Sequence, residues 1–290
     1  MQVEGWIDLS RRAKFLLRGP DAERYLNGQT TQDVRRATPG LAMPSLITTA
    51  KGKIEADVFI SRPDPDAFFI DGPAELREAL QIRLDRYLIA DDAELTDVTE
   101  EFGLVHVLGA EPVVPDGAVV RKANRYGIEG WDLLGGPGIS LAQPGTALNS
   151  DDLEPVRIAH GIPRWGSELS ADILPQEARL EERCLDFHKG CYIGQEVISR
   201  IKSVGKVNRL LCALVAEGAG EALAPGDLLF LEDREVGTIT SVAKNAELGR
   251  ITALAYVKRD AASPGTVLRP EHPEKRLLSR LEIRETPLCC

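Results

Sequence analysis

The chain has 290 residues, 43% of them hydrophobic and 28% charged, with a net charge of −10. That length buries a substantial core in one large domain or a few smaller ones; no apolar run reaches the length of a membrane span, and the acidic balance argues against broad nucleic-acid binding, which needs many cationic phosphate contacts. Met1-Gln2-Val3-Glu4-Gly5-Trp6-Ile7-Asp8 lacks the basic start and apolar stretch of a secretory leader, so a cytoplasmic location is expected.

Residues 6–18 carry two short strand-like runs, the second being Lys14-Phe15-Leu16-Leu17-Arg18. Gly19-Pro20-Asp21 then opens a helix with Pro20 near its first position. Leu46-Ile47-Thr48-Thr49 and the run from Ile54 to Ile60 read as strands joined at Lys51-Gly52-Lys53. Phe68-Phe69-Ile70 is a further strand after the turn Pro63-Asp64-Pro65-Asp66. Pro73 to Ile89 is the clearest helix, because Leu76, Leu80, Leu84, Tyr87 and Leu88 recur at helical spacing. Glu94 to Val98 and Phe102 to Leu108 return to strand, and this β-heavy run with one long helix suits an α+β unit with the helix packed on an antiparallel sheet. Arg125 to Leu134 reads as a turn followed by a strand. Ser150 caps a helix through Val156 and Ile158, with Asp151 and Asp152 in its first turn; Gly161 ends it and Pro163 follows. After Gly205 the texture changes to short strands at about 209–215, 228–231, 235–243, 250–257, 266–269 and 276–284, with Pro225-Gly226-Asp227 and Glu232-Asp233 as turns. Such punctuation predicts a small barrel or sandwich, with a domain boundary near 203–208.

Five cysteines occur, Cys184, Cys191, Cys212, Cys289 and Cys290, and the absence of a Cys-x-x-Cys pair argues against a zinc ribbon or a thioredoxin-like site. In a cytoplasmic protein they are expected as free thiols. Cys212 falls in an apolar strand and the last two at the chain end. On one continuous helix Cys184, His188 and Cys191 would share a face, but Gly190 is expected to break it, and no metal is assigned. Arg200, Lys202, Lys206 and Arg209 cluster in one stretch that is either a solvated loop or a contact for an anionic ligand.

The densest chemistry lies in Lys189-Gly190-Cys191-Tyr192-Ile193-Gly194-Gln195-Glu196. This order predicts Cys191 in the first turn of a short helix through Val197, Ile198, Ser199 and Arg200. Helix N-terminal amides and the ammonium of Lys189 would both favour a thiolate there. The same order also fits a tight turn whose cysteine is merely small and buried. Glu196 and Arg200, four apart, could close a helical ion pair.

That octapeptide resembles the signature of the YgfZ-type folate-binding proteins, relatives of the glycine-cleavage aminomethyltransferase (T-protein). The likeness extends through Gly161-Ile162-Pro163, Pro175-Gln176-Glu177-Ala178 and Gly205-Lys206-Val207-Asn208-Arg209. Near the N-terminus it includes the run from Gly19-Pro20-Asp21 to Gln32-Asp33-Val34. The resemblance implies a cloverleaf of interwoven folate-binding α+β domains over 1–204 followed by a C-terminal β-barrel over 205–290. It implies tetrahydrofolate as cofactor and iron–sulfur proteins as clients, one of which modifies tRNA. Cys191 and Lys189 would be the catalytic groups, and Asp57, Arg125, Tyr192, Gln195 and Glu196 the folate-binding ones.

The chain also departs from the superfamily pattern. The paired aspartates of the true aminomethyltransferases match Ala56 and Asp57, so one is missing. The pterin-anchoring glutamate near Arg157-Ile158-Ala159-His160-Gly161 is replaced, and the positions of two cleft tryptophans hold Arg12 and Leu153. His160 is expected to close its helix as a partly cationic ring. Arg125 could meet a folate carboxylate. Three functions therefore compete: a folate-dependent factor for iron–sulfur protein assembly or repair, an aminomethyltransferase-type enzyme, and a non-catalytic client-docking module.

Overall fold

In the computed structural model, residues 3–217, 223–246, 248–271 and 280–288 are described. The elements run β1 (Gly5–Asp8), β2 (Ala13–Arg18), α1 (Ala22–Gln29), β3 (Leu41–Thr48), β4 (Ile54–Asp64), β5 (Ala67–Gly72), α2 (Arg77–Asp85), β6 (Glu94–Asp97), β7 (Gly103–Leu108), β8 (Val119–Ala123), β9 (Gly130–Gly135) and α3 (Ser150–Ala159). They continue through α4 (Glu181–Cys184), α5 (Gln195–Ser203), β10 (Arg209–Glu217), β11 (Leu228–Leu231), β12 (Arg234–Asn245), β13 (Arg250–Lys258), β14 (Val267–Glu271) and β15 (Arg280–Arg284). The contacts group 2–149 with 180–199 as one compact unit, and 150–179 with 200–290 as the other.

In the first unit nine strands form one sheet in the order β1-β7-β9-β8-β3-β4-β5-β2-β6. β1 and β2, neighbours in sequence, lie toward opposite ends of it, so the N-terminal segment serves both halves. The halves join through a two-residue parallel pairing of Leu41 with Lys122 and Ala42 with Ala123. Alternation along β4 sends Ala56, Val58 and Ile60 to one face, where they pack with Phe15 and Phe68 from neighbouring strands and with Leu26 and Leu84 from α1 and α2. Fully burying each such large side chain contributes roughly 1.5–3 kcal/mol. Asp57 and the other odd positions face the opposite side.

The long helix expected from Pro73 to Ile89 is shorter: a 3₁₀ turn over Ala74–Leu76 leads into α2, which ends at Asp85. Leu80 and Leu84 are buried, and Leu76 and Leu88, outside the helix, still pack against the same cluster, whereas Tyr87 is 43% exposed. Pro20 also lies ahead of α1, whose N-cap is Asp21. β8 was not anticipated.

In the second unit β10-β13-β12-β11-β14-β15 close into a barrel. Leu214, Leu229, Val236, Val257 and Leu281 meet in its interior, and each predicted strand overlaps a barrel strand, with residue 266 just ahead of β14 and 276–279 outside the described residues. Cys289 and Cys290 also lie outside them. The buried Glu168 ties α3 and the 162–169 segment to the barrel. It accepts from Arg157 Nη1 at 2.8 Å, from the Arg164 amide at 3.0 Å and from Ser241 Oγ at 2.5 Å. Gly161, with φ at 66°, ends α3 as expected.

Candidate functional site

The Lys189–Glu196 segment folds as a loop pinned to its own unit, not as a helix start. α5 begins only at Gln195, so Cys191 precedes the helix rather than occupying its first turn. Gly194 allows the entry: φ is 91°, and a Cβ there would sit 2.6 Å from the Thr49 carbonyl oxygen. On either side of Cys191 the backbone is tied down. The Ile193 amide donates to Gly28 O at 3.1 Å, Thr48 Oγ1 donates to Ile193 O at 2.6 Å, and the Asp186 amide donates to Thr31 O at 3.0 Å.

Lys189 is the main rivet. Its Nζ donates to the carbonyls of Asn27, Thr30 and Gln32 at 2.7, 2.6 and 2.6 Å, and stands 5.1 Å from the Tyr192 ring centroid. Burial pushes its pKa from 10.5 down to about 7, against the opposing charges of Asp33 and Asp186. Its three donors are thus spent on backbone carbonyls. The ammonium expected to act on the thiol acts first on the loop.

Cys191 is exposed, in contrast to Cys184 and Cys212, the other described cysteines, which are buried. Burial pushes the Cys184 thiol up to about 12 and that of Cys212 up as well, so both are inert near neutrality. α4 ends at Cys184, and the continuous helix that would have aligned Cys184, His188 and Cys191 does not form. Tyr192 is buried, and its hydroxyl has no hydrogen-bond partner among the described residues. Gln195 opens α5, and Glu196 is exposed beside it.

Asp57 projects from the polar face of β4. Its Oδ1 is enclosed without a hydrogen-bond partner, and burial raises its pKa, against the pull of Arg12. Arg183, on α4, interacts electrostatically with Asp57 and donates from Nη1 to Asn124 Oδ1 at 3.1 Å. α4 therefore links the cysteine loop to the carboxylate. Ala56, where the second carboxylate would stand, is 0% exposed in the apolar cluster on the opposite face.

Near Asp57 lies an ionic network that sequence patterns did not reveal. Arg125 donates to Asp71 through Nη1 and Nη2 at 3.0 and 2.9 Å, and to Asp132 through Nε and Nη2 at 2.9 and 2.7 Å. Its guanidinium also covers the Phe59 ring at 4.2 Å. Both forks of Arg125 are spent on the protein's own carboxylates, so it is a buried hub rather than an open anchor for a folate carboxylate. Arg12 adds a 2.6 Å bond to Asp71. Burial pushes the Asp71 and Asp132 carboxyls up, but Arg125 more than offsets it, and both lie below the usual range. His106 Nδ1 sits 2.8 Å from Asp132 Oδ1; burial lowers its pKa, leaving a neutral ring that donates to the carboxylate. The only hint in the sequence was charge within apolar strands, as in Phe68-Phe69-Ile70-Asp71 and Trp131-Asp132-Leu133.

In the barrel unit, Leu153 and Ala159 are buried in α3, and the Ala159 carbonyl accepts from the Leu288 amide at 2.7 Å. Burial pushes His160 down rather than up, so the ring ending this helix is neutral, not partly cationic as expected.

A GCVT N-terminal domain matches residues 2–113, and a glycine cleavage T-protein C-terminal barrel domain matches residues 209–288. An aminomethyltransferase of Herpetosiphon aurantiacus is 27% identical, with 90% of this chain and 80% of that protein covered. A protein of Chaetomium globosum named iron-sulfur cluster assembly factor IBA57 homolog, mitochondrial, is 29% identical, with 85% of this chain and 66% of that protein covered. The crystal structure of the glycine cleavage system aminomethyltransferase T from Bartonella henselae superposes with a TM-score of 0.85 at 16% identity, covering 99% of this chain and 87% of that one. That likeness establishes the T-protein fold, an α+β region with a closed C-terminal barrel. With both of its characteristic domains matched in order, this chain belongs to the aminomethyltransferase superfamily of the glycine-cleavage T-protein.

Proposed function

We propose that this protein is a folate-using factor of the YgfZ type that supports assembly or repair of iron–sulfur proteins, with the Lys189–Glu196 loop as its working site. The observation that carries this is the placement of Cys191: an exposed thiol on a loop held at both ends, whereas the other described cysteines, Cys184 and Cys212, are buried and inert. A loop that served only to turn the chain would not need three carbonyls gripping one buried ammonium. Relatives named as iron-sulfur cluster assembly factors support the same reading. In it, Cys191 meets the client, Lys189 positions the loop, and Gln195 and Glu196 present polar groups at the head of α5. The division of labour is a folate-binding region over 1–204 and a barrel over 205–290, acting in the cytoplasm, with clients that include tRNA-modifying enzymes.

Tetrahydrofolate carries one-carbon units on its ring nitrogens, and the groups lacking partners in the first unit suit such a ring. Asp57 Oδ1 and Gln32 Oε1 are enclosed acceptors, and the Tyr192 hydroxyl is an enclosed donor. These would hold the cofactor, while Arg125 fixes the floor beneath Asp57 rather than touching the ligand. No helix among the described residues is long and apolar enough to cross a membrane.

A one-carbon transfer enzyme is the second reading, favoured by the aminomethyltransferase relatives and by Asp57. Against it stands Ala56, whose side chain lies in the apolar core. Transfer of a formaldehyde equivalent to tetrahydrofolate by the purified protein would restore it.

The test is complementation. Cys191→Ala is expected to fold with a stability within about 0.5 kcal/mol of the parent, because the side chain is exposed. It is expected to fail to restore iron–sulfur enzyme activity in cells lacking this protein. Full rescue by the variant would remove the thiol from the mechanism.

A further inference from the structure

α5 closes in a tight turn on the surface of the barrel unit. The amides of Val204 and Gly205 both donate to Arg200 O, at 3.0 and 3.1 Å, and a Cβ on Gly205 would stand 2.8 Å from Ile201 Cα. Every residue from Lys202 to Lys206 is exposed, as is Arg200 just ahead of them. The chain then enters β10, and the Arg259 amide donates to Asn208 O at 2.9 Å. β10 begins where its antiparallel neighbour β13 ends, so the exposed Arg259 joins the turn at one end of the barrel. Arg200, Lys206 and Arg259 have no carboxylate partner among the described residues. The neighbouring charges cancel one another. Arg209 is paired with Glu177 at 3.2 Å, Asp260 with Arg234 at 2.7 Å, and Lys258 lies beside Glu235, to whose carbonyl it donates at 2.8 Å. The sequence left this basic stretch as a solvated loop or an anion contact, and two observations favour the contact. The helix dipole favours cations in a last helical turn, which accounts for Arg200 and Lys202. It does not account for Arg259, which arrives from another strand, nor for Val204, which is 84% exposed in the middle of the turn.

We propose that this turn, together with Arg259, is a docking surface for an acidic segment of a partner protein, with Val204 as its apolar centre. An apolar centre within a charged rim is the anatomy of a protein–protein contact. The partner brings carboxylates to Arg200, Lys206 and Arg259 and an apolar side chain to Val204. A phosphate backbone would use the cations and leave Val204 bare. Three cations are also few for it, because its affinity grows with the number of phosphates neutralised. The net charge of −10 does not forbid an acidic partner. Charges more than about 8–10 Å away are screened at physiological salt, so the local cations decide the attraction. The surface is separate from the cysteine loop and does not rest on the function proposed for it.

The experiment is fluorescence anisotropy of a short labelled peptide, glutamates flanking a leucine-rich centre, titrated with the full chain. Two controls are the same peptide with lysine in place of glutamate and a uridine oligonucleotide of equal length. Saturable binding of the acidic peptide is expected, weakening as salt rises, with both controls weaker. Lys206→Glu, Arg259→Glu and Val204→Ser, all at exposed positions, are each expected to weaken it at least about fivefold. Arg11→Glu, which changes the net charge equally at an exposed position in the other unit, is expected to leave it unchanged. Thermal melts check that every variant folds. The proposal is overturned if the acidic peptide shows no saturable binding below about 1 mM. It is equally overturned if either control binds as tightly, if the three variants keep the parent affinity, or if Arg11→Glu weakens binding as much as they do.

Discussion

At Asp57 a carboxylate oxygen is enclosed with no donor, and burial raises its pKa above the usual 3.8. Between those two values the native state binds more protons than the unfolded chain, so this group lowers stability as pH rises. Asp57→Asn is therefore expected to be more stable than the parent at pH 7, by about 1–3 kcal/mol, and the gap is expected to shrink as the pH approaches 4. Urea melts at both pH values measure it; a less stable variant at pH 7 would mean the carboxylate has a partner of its own. Lys189 has the opposite sign. Its pKa falls from 10.5 to about 7 on folding, so the unfolded chain holds more protons between those values and stability rises with pH across that window. Compared with Lys189→Met, the parent is expected to gain on the order of 2–4 kcal/mol between pH 7 and pH 10. A parallel pH dependence of the two proteins in urea melts would show that Lys189 titrates normally.

At the scale of the element, Gly194 couples backbone geometry to the site. With φ at 91° and Thr49 O 2.6 Å from a Cβ, Gly194→Ala strains the turn and pushes the loop off the β3–β4 hairpin. A loss of about 2–3 kcal/mol is expected, accompanied by faster hydrogen exchange at the Ile193 amide, whose bond to Gly28 would loosen. Unchanged exchange there would show that the hairpin yields instead. Element by element, what could be read in advance follows from how local the cause is. The barrel strands were legible because turn residues such as Pro225-Gly226-Asp227 separate short apolar runs. α3 was legible from its acidic first turn and from Gly161. β8 was not, since its burial alternates only weakly along Val119-Val120-Arg121-Lys122-Ala123 and its place is set by pairing with β9. The Cys191 motif was recognisable, but its conformation was not. The grip of Lys189 on Asn27, Thr30 and Gln32 joins residues more than a hundred positions apart, and no local pattern encodes that. Arg125, in the loop between β8 and β9, likewise finds its partner Asp71 on β5, 54 positions away.

For the whole molecule, the order of segments matters as much as their content. Residues 150–179 belong with the barrel and 180–199 return to the sheet unit, so the chain leaves and re-enters each unit. α5 begins with residues counted in one and ends with residues counted in the other. The 180–199 segment that carries the cysteine loop therefore completes a unit whose other residues, 2–149, precede the barrel segment, and it cannot dock until the intervening 150–179 has been traversed. A ligand that binds the finished sheet unit and not the unfolded chain stabilises everything that unit requires, including this late segment. Tetrahydrofolate offers the decisive probe. Anaerobic calorimetry on the full chain is expected to show saturable binding at about micromolar affinity. At a hundredfold excess over Kd that binding adds about 2.7 kcal/mol to stability. Asp57→Asn is expected to weaken the binding while melting higher on its own, a pairing of effects that general destabilisation does not produce. A folded protein that takes up no tetrahydrofolate would instead leave the Cys191 loop as a docking surface built on a retired folate fold, and the enclosed Asp57 oxygen would then be a residue of an ancestral site rather than a working part of this one.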